Sequence, residues 1–170
     1  MAIRIELLTG QHDRKTFECG EPSLNDWLAR MALQQQAKNY ARTRVVVDET
    51  APARILGYYT LLAHEIDTSQ LPNTRKLPQR LACVLLGRLA VDRSAQGRGL
   101  GRLMLLDAVA RTRTTIGETA GIGLVVDALN ERAATFYHGF GFEAFKDDLH
   151  RLFLRVDWPY NGGGAQRGRG

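Results

Sequence analysis

The sequence is short of cysteine and has no long apolar run, and each shortage excludes a class of protein. Cys19 and Cys83 are the only cysteines among 170 residues. Two cysteines cannot form the disulfide framework of a small secreted domain, so we expect a protein of the reducing cytoplasm. No apolar stretch approaches the roughly 18 residues that a membrane-spanning helix requires. The first residues alternate like a strand and do not form a signal peptide.

Lysine is also scarce, whereas arginine is abundant. The chain has 23 basic residues, 19 of them arginine, and a net charge of +5. The planar guanidinium of arginine binds phosphate through two hydrogen bonds at once, which a lysine ammonium cannot do. A polyanionic partner is one interpretation of this bias. A GC-rich genome, which favours arginine codons, is the other, and composition does not decide between them.

Length and composition fit one globular domain. Hydrophobic residues make up 44% of the chain and charged residues 24%, which are ordinary values for a protein with a substantial core. The last ten residues, NGGGAQRGRG, cannot pack into such a core. We therefore predict one domain at residues 1–160 and a flexible basic tail at residues 161–170.

The most informative segment is Gln96-Gly97-Arg98-Gly99-Leu100-Gly101. It follows an apolar strand predicted at residues 84–91 and precedes an amphipathic helix predicted to about Thr115. Glycine has no Cβ, so the backbone can approach a ligand closely. The first N–H groups of the helix, reinforced by its dipole, favour a bound phosphate. Arg98 and Arg102 add positive charge beside it.

Three kinds of phosphate-binding loop compete for these glycines. A P-loop requires a lysine after its last glycine, and none follows here. A Rossmann loop requires G-x-G-x-x-G early in a βαβ unit, whereas this chain has G-x-G-x-G near its middle. The acyl-coenzyme A loop, Gln/Arg-x-x-Gly-x-Gly/Ala, is matched by Gln96, Gly99 and Gly101. A glycine-rich connection that binds nothing is the remaining alternative.

Hydrophobic periodicity and turn residues predict an alternation of strands and helices. Ser23 is predicted to cap the first helix, and Gly139 is predicted to end the last helix in the left-handed conformation. The predicted elements are a strand at 3–7, a helix from Glu21 to about Lys38, a hairpin of strands 44–47 and 55–63, the strand at 84–91, the helix to about 115, a strand at 121–127, a helix at 130–137, and strands at 140–145 and 149–156.

Five short segments carry a resemblance to a known family. They are Phe17-Glu18-Cys19-Gly20, Leu24-Asn25-Asp26-Trp27-Leu28, Gly57-Tyr58-Tyr59, Arg88-Leu89-Ala90-Val91-Asp92 and Phe136-Tyr137-x-x-Phe140-Gly141-Phe142. With these segments and the order of elements over residues 3–157, the chain resembles the GNAT superfamily of N-acetyltransferases. It is most similar to the GNAT toxins of bacterial toxin–antitoxin pairs. Asn25 departs from the pattern, because many such toxins have aspartate there.

The resemblance implies a fold, an activity and partners. It implies an α/β (α+β) fold with a mixed, mostly antiparallel sheet and flanking helices. It implies an enzyme that acetylates the α-amino group of aminoacyl-tRNA with acetyl-CoA, needs no metal and stops translation. A homodimer and a small DNA-binding antitoxin, often of the ribbon-helix-helix type, are also implied. An acetyltransferase of a small amine or a protein N-terminus, and a non-catalytic acyl-CoA-binding module, are the alternatives.

The same resemblance assigns residues to the co-substrate. The backbone of residues 89–91 is expected to hold the pantetheine arm and the thioester, with the Leu89 N–H on the thioester oxygen, and the loop at 96–102 is expected to hold the pyrophosphate. Asn130 either binds pantetheine or simply caps a helix. The full set is Leu89, Ala90, Val91, Gln96, Gly97, Arg98, Gly99, Leu100, Gly101, Arg102 and Asn130.

Tyr137 is the predicted catalytic residue. The resemblance places it beside the sulfur of the coenzyme, where a phenol can donate a proton to the departing thiolate. The alternative is a core tyrosine on a short amphipathic helix. His64 and His138 are weaker candidates for a general base, because an α-amine is partly neutral at pH 7 and needs little help. The candidate contacts to tRNA are Arg42, Arg44, Arg75, Lys76, Arg80 and Arg88. The alternative for each is a solvated surface residue that binds nothing.

Overall fold

The structure is a computed structural model that describes residues 2–72 and 77–156. Arg75, Lys76 and the predicted tail at 161–170 lie outside the described residues. Within those residues no helix is long and apolar enough to cross a membrane. The described chain falls into two compact units. One comprises residues 2–62 and 86–108, and the other comprises residues 63–85 and the described residues from 109 onward.

The architecture is a mixed α/β fold built on one sheet, as predicted. The elements are β1 (Ile3–Leu7), α1 (Pro22–Arg30), α2 (Ala32–Ala37), β2 (Arg42–Asp48), β3 (Gly57–Asp67), β4 (Arg80–Val91), α3 (Leu100–Thr119), β5 (Gly123–Asp127), α4 (Glu131–His138), β6 (Glu143–Ala144) and β7 (Arg151–Arg155). The strand order is β1-β2-β3-β4-β5-β7-β6. The pairs β1–β2, β2–β3, β5–β7 and β6–β7 are antiparallel, which confirms the predicted sheet type.

In the first unit, helix α1 covers one face of the sheet. Successive side chains of a strand point to opposite faces, so Val45 and Val47 of β2 point to the same side. Both are fully buried and pack with Leu28 of α1 and Tyr58 of β3. The Tyr58 hydroxyl donates a hydrogen bond to the Leu24 carbonyl oxygen at 2.7 Å. This core fixes the end of β1 and the start of α1 against the middle strands.

The first helix differs from its prediction at its N-cap and in its middle, whereas its end at Lys38 agrees. Glu21, not Ser23, occupies the N-cap position, and its side chain makes no capping hydrogen bond. Pro22 begins the helix, which suits a residue whose φ is fixed near the helical value and which lacks an N–H. The helix also breaks at Met31, where φ is −115°. The predicted single helix capped by Ser23 is therefore wrong in these details.

The turn after α4 also differs from its prediction. Gly139 has a right-handed φ of −61°, so the prediction that it is the left-handed cap is wrong. The left-handed residue is Gly141, with φ of +92°. The turn continues to this residue, and the strand predicted at 140–145 shrinks to Glu143–Ala144. Phe142, which follows the turn, is 2% exposed and anchors the turn in the core of the second unit.

Gly123 provides a test of packing in the second unit. It faces Arg155 across the β5–β7 pair, and a Cβ at this position would overlap the Leu154 carbonyl oxygen. We expect Gly123→Ala to lower the free energy of unfolding by about 1–3 kcal/mol, as overpacking generally does. Chemical denaturation measures this. Gly87→Ala is the matched control, because its Cβ would meet only Leu62 Cδ2 at 3.4 Å. Equal stability of the two variants would contradict this packing.

Candidate active site

Asp92 begins the loop that leads from β4 to α3. The residue is 5% exposed. Its carboxylate accepts hydrogen bonds from the Ser94 N–H at 3.0 Å, the Ser94 hydroxyl at 2.5 Å and the Glu18 N–H at 2.8 Å. Arg54 lies 3.7 Å away and also bonds Ser94. Burial alone raises the pKa of Asp92, but these hydrogen bonds and Arg54 outweigh it and hold the pKa below its usual range. Asp92 is therefore a charged anchor at the start of the loop.

The glycines of this loop leave space in front of its backbone. Gly97 and Gly99 both have φ of +79°, a conformation that costs an L-residue roughly 1–2 kcal/mol. A Cβ built on either glycine would meet no atom within 4 Å. Helix α3 begins at the next residue, Leu100, so its first N–H groups have no acceptor within the helix. The residues predicted to hold the pyrophosphate therefore have the room and the donors to do so.

Gln96 holds the loop in place. Its side-chain amide donates one hydrogen bond to the Cys19 carbonyl oxygen at 3.1 Å and another to the Val91 carbonyl oxygen at 3.0 Å. The sequence predicts Gln96 as a contact to the co-substrate, whereas the N–H groups of its side chain bind protein. The contact of Gln96 with the co-substrate stays a prediction. Arg98 and Arg102, which follow, have exposed side chains.

Residues 89–91 at the end of β4 are mostly shielded from solvent. Ala90 is buried, and Leu89 and Val91 are half-buried. The carbonyl oxygen of Ala90 lies close to Gly57, where a Cβ would approach it to 3.1 Å. The Asp92 N–H donates to the Leu56 carbonyl oxygen at 2.8 Å. The end of β4 is thus held in a fixed position against the start of β3.

Arg88 packs on an aromatic ring. Its guanidinium carbon lies 4.1 Å from the centre of the Trp27 ring, and Trp27 in turn stacks on Tyr58 at 6.3 Å. Burial lowers the pKa of Arg88. Cation–π contacts of this kind stabilise a protein by roughly 0.5–2 kcal/mol. The structure therefore gives Arg88 a partner in the protein that the sequence did not indicate.

Two of the other basic candidates, Arg42 and Arg44, do not share a face with Arg88. Arg42 and Arg44 alternate with Thr43 and Val45 on β2. Because Val45 packs on the side of α1, Arg42 and Arg44 lie on the opposite face of the sheet from the Trp27 contact. In the second unit, Arg80 of β4 forms an exposed ion pair with Glu65. Within the first unit, the structure therefore groups Arg42 with Arg44 and separates both from Arg88.

Tyr137 is a buried residue of α4 in the second unit. It is 5% exposed, and its ring contacts those of Phe136 at 5.2 Å and Phe142 at 5.5 Å between centroids. Among the residues that the structure describes, no hydrogen bond of its hydroxyl is found. Burial raises the pKa of Tyr137 above its ordinary value of 10.0. The phenol therefore keeps its proton at neutral pH, as a general acid must.

Asn130 and the two histidines have defined structural contacts. The Asn130 side chain caps α4 by accepting a hydrogen bond from the Ala133 N–H at 2.9 Å. Burial and the charge of Arg151 lower the pKa of His64, whose Nε2 accepts a hydrogen bond from Arg151 at 2.9 Å. His138 Nδ1 lies 3.1 Å from the Phe142 carbonyl oxygen. The cap predicted at Asn130 is confirmed, and the lone pair of His64 is engaged.

Comparison with known proteins identifies the relatives of this chain. The acetyltransferase (GNAT) domain family matches residues 39–144. The tRNA-acetylating toxin of Mycobacterium tuberculosis (strain ATCC 25618 / H37Rv) is 35% identical over 148 residues, which are 85% of this chain and 87% of that protein. The match is thus close to full length on both sides.

Solved structures give the same result. The toxin AtaT complexed with acetyl-methionyl-tRNAfMet is 33% identical with a TM-score of 0.85, covering 90% of this chain and 94% of AtaT. A tyrosine-to-phenylalanine variant of AtaT, bound to acetyl-CoA and the C-terminus of the antitoxin AtaR, is 31% identical with a TM-score of 0.79. That match covers 92% of this chain and 94% of the variant.

Proposed function

The chain belongs to the GNAT acetyltransferase family, and from this premise we propose that it acetylates the α-amino group of an aminoacyl-tRNA. In this role it is the toxin of a toxin–antitoxin pair and stops translation. The observation that carries the proposal is the 35% identity, over 85% of the chain, to a tRNA-acetylating toxin. The AtaT structure with acetyl-methionyl-tRNAfMet supports the same acceptor.

The loop at residues 96–102 is our proposed site for the pyrophosphate of acetyl-CoA. When bound, acetyl-CoA supplies the acetyl group as an activated thioester. The open space at Gly97 and Gly99 lets the main chain approach the phosphates, and the N-terminus of α3 directs its dipole toward them. Arg98 and Arg102 contribute positive charge. These features support a diphosphate more strongly than they support a plain connection between a strand and a helix.

Two groups of the chain are proposed to act on the reacting atoms. The main-chain N–H of Leu89 donates to the thioester oxygen, and one such donor contributes about 3 kcal/mol where charge develops on that oxygen. Tyr137 donates its proton to the sulfur that leaves. The amine attacks directly, without an acyl-enzyme. An α-amine of an aminoacyl ester has a pKa below about 8, so much of it is already neutral near pH 7.

The RNA contacts and the assembly are proposals as well. Arg42 and Arg44 share a face of β2 and are our first candidates for phosphate contacts, while Arg75, Lys76, Arg80 and Arg88 are further candidates. We also infer a homodimer and a small DNA-binding antitoxin of the ribbon-helix-helix type. The complex of AtaT with the C-terminus of AtaR supports an antitoxin partner. Because both substrates are found in the cytoplasm, we place the activity there.

Incubation with labelled acetyl-CoA and a pool of charged tRNA tests the proposal. We expect the label to follow the RNA and to be released as N-acetyl amino acid when the ester is hydrolysed. A pool of uncharged tRNA is the matched control, since it lacks the α-amine and should remain unlabelled. Label that appears on a small amine or a peptide but not on charged tRNA would support the alternative acetyltransferase. A failure to transfer acetyl to any of these acceptors would favour the non-catalytic module.

A further inference from the structure

The segment Phe17-Glu18-Cys19-Gly20 is part of the resemblance but has no role in the proposed reaction. Phe17 is 4% exposed and belongs to the core of the first unit. Its ring lies edge-on to Tyr58 at 5.4 Å. This contact accounts for the phenylalanine but not for the three residues that follow it. Of those three residues, Glu18 and Cys19 make polar contacts with the loop between β4 and α3.

Three main-chain groups of the segment bind the co-substrate loop. The Glu18 N–H donates to Asp92 Oδ1 at 2.8 Å, and the Glu18 carbonyl oxygen accepts from the Arg93 N–H at 2.8 Å. The Cys19 carbonyl oxygen accepts from the Gln96 side chain at 3.1 Å. The loop is therefore attached to the segment along its first five residues, immediately before the two left-handed glycines.

The segment is itself held in shape by one pair of side chains. Asn25 accepts a hydrogen bond from the Cys19 N–H at 2.9 Å and donates one to Glu18 Oε2 at 2.8 Å. The other oxygen of the Glu18 carboxylate accepts from the Gly20 N–H at 2.7 Å. The Glu18 carboxylate thus requires a donor at position 25. Asparagine supplies that donor, whereas an ionised aspartate there would not.

We propose that Glu18 and Asn25 form a positioning pair that sets the affinity of the protein for acetyl-CoA. They fix the segment at residues 17–20, and the segment fixes the loop that contains Gly97 and Gly99. Because glycine samples many backbone conformations, including the one at φ of +79°, the loop needs external contacts to remain in its binding shape. The inference rests on the proposed function, since it assigns that loop to acetyl-CoA.

Exchanging the hydrogen-bond donor and acceptor of the pair tests the inference. Asn25→Asp places two carboxylates within hydrogen-bond distance, and we expect a rise of at least tenfold in both the Kd for coenzyme A and the KM for acetyl-CoA. The kcat should change less than twofold, because neither residue touches the reacting atoms. In the double variant Glu18→Gln/Asn25→Asp, the donor and acceptor are exchanged. That variant should bring Kd and KM back to within threefold of the wild-type values.

Asp26→Asn is the matched control, because Asp26 is exposed and adjacent to Asn25 but makes no hydrogen bond or ion pair with the segment among the described residues. It should leave Kd and KM unchanged. An unchanged Kd in Asn25→Asp, or a double variant as weak as the single one, would overturn the inference. Calorimetry with coenzyme A needs no acceptor, so these outcomes are separable from a failure of the proposed function, in which wild-type protein would not bind coenzyme A or would transfer no acetyl group.

Discussion

Replacing Tyr137 by phenylalanine should reduce kcat for acetyl transfer by about 10²–10⁴-fold, the usual contribution of a general acid. The affinity for coenzyme A should not change. The substitution removes only a hydroxyl for which no hydrogen bond is found among the described residues. The ring keeps its contacts with Phe136 and Phe142. Steady-state kinetics, together with calorimetry on coenzyme A, separate loss of chemistry from loss of binding.

Two controls accompany this variant. Tyr40→Phe removes the hydroxyl of a side chain that is 62% exposed and should leave kcat unchanged. Thermal melting should show that Tyr137→Phe is as stable as the wild type. A Tyr137→Phe enzyme with near-normal kcat would remove Tyr137 from the mechanism.

The dependence of the wild-type rate on pH gives a further test of Tyr137. Burial raises the pKa of Tyr137 above 10.0, so the phenol stays protonated while the acceptor amine loses its proton. The rate should therefore rise with pH and should not fall again below pH 10.

The second large effect is expected at the glycine loop. Gly99→Asp should weaken coenzyme A binding by about 100-fold or more. A side chain at φ of +79° costs roughly 1–2 kcal/mol, and the added carboxylate would lie where we place the pyrophosphate, so like charges would repel. Each 1.4 kcal/mol corresponds to about a tenfold change in affinity. Calorimetry with coenzyme A measures the change directly.

Gly10→Asp is the matched control for that variant. Gly10 is exposed and a Cβ there would meet only Leu33 at 4.0 Å, so the same change in net charge is made without backbone strain. Gly99→Ala separates the two contributions, because it introduces the strain without the charge. We expect its affinity to lie between those of the wild type and Gly99→Asp. Equal binding by Gly99→Asp and Gly10→Asp would refute the assignment of this loop to the diphosphate.

The parts of the site that depend on local sequence could be predicted. The glycines at 97, 99 and 101 indicated the turn from a strand into a helix, and the structure has β4 before it and α3 after it. The helix cap, one of the two roles considered for Asn130, is confirmed, because its side-chain oxygen binds an N–H only three residues away. Tyr137 lies on the predicted short helix. In each case the sequence pattern that allowed the prediction extends over only a few neighbouring residues.

The parts that depend on distant contacts could not be predicted. The Glu18 N–H binds the carboxylate of Asp92, which is 74 residues away in the sequence, and no spacing rule connects them. An aspartate at a strand end with a serine two residues later is typical of a side chain that caps a turn, so half of the Asp92 contacts had a local signal. The contact of Arg88 with Trp27 had none.

The errors in the predicted helix ends have local causes. Serine is a good N-cap residue, but Pro22 precedes Ser23 and is itself well suited to the first helical position. The cap therefore moves to Glu21. Gly139 stands directly after α4, yet Phe142 must reach the core, and the turn continues to Gly141 before it reverses. In both cases a neighbouring residue decided the boundary of the element: Pro22 set the start of the first helix, and Phe142 set the length of the turn after α4.

Because Arg88 packs on Trp27, the intrinsic tryptophan fluorescence of the protein can report on the position of Arg88. The indole has a positive charge 4.1 Å from its centre, and its emission depends on that field. Arg88 directly precedes Leu89, so a shift of this strand on ligand uptake would alter the fluorescence. Trp158 is the second of two tryptophans and lies outside the described residues. Trp158→Phe would make Trp27 the sole tryptophan for a label-free titration with selective excitation of the indole.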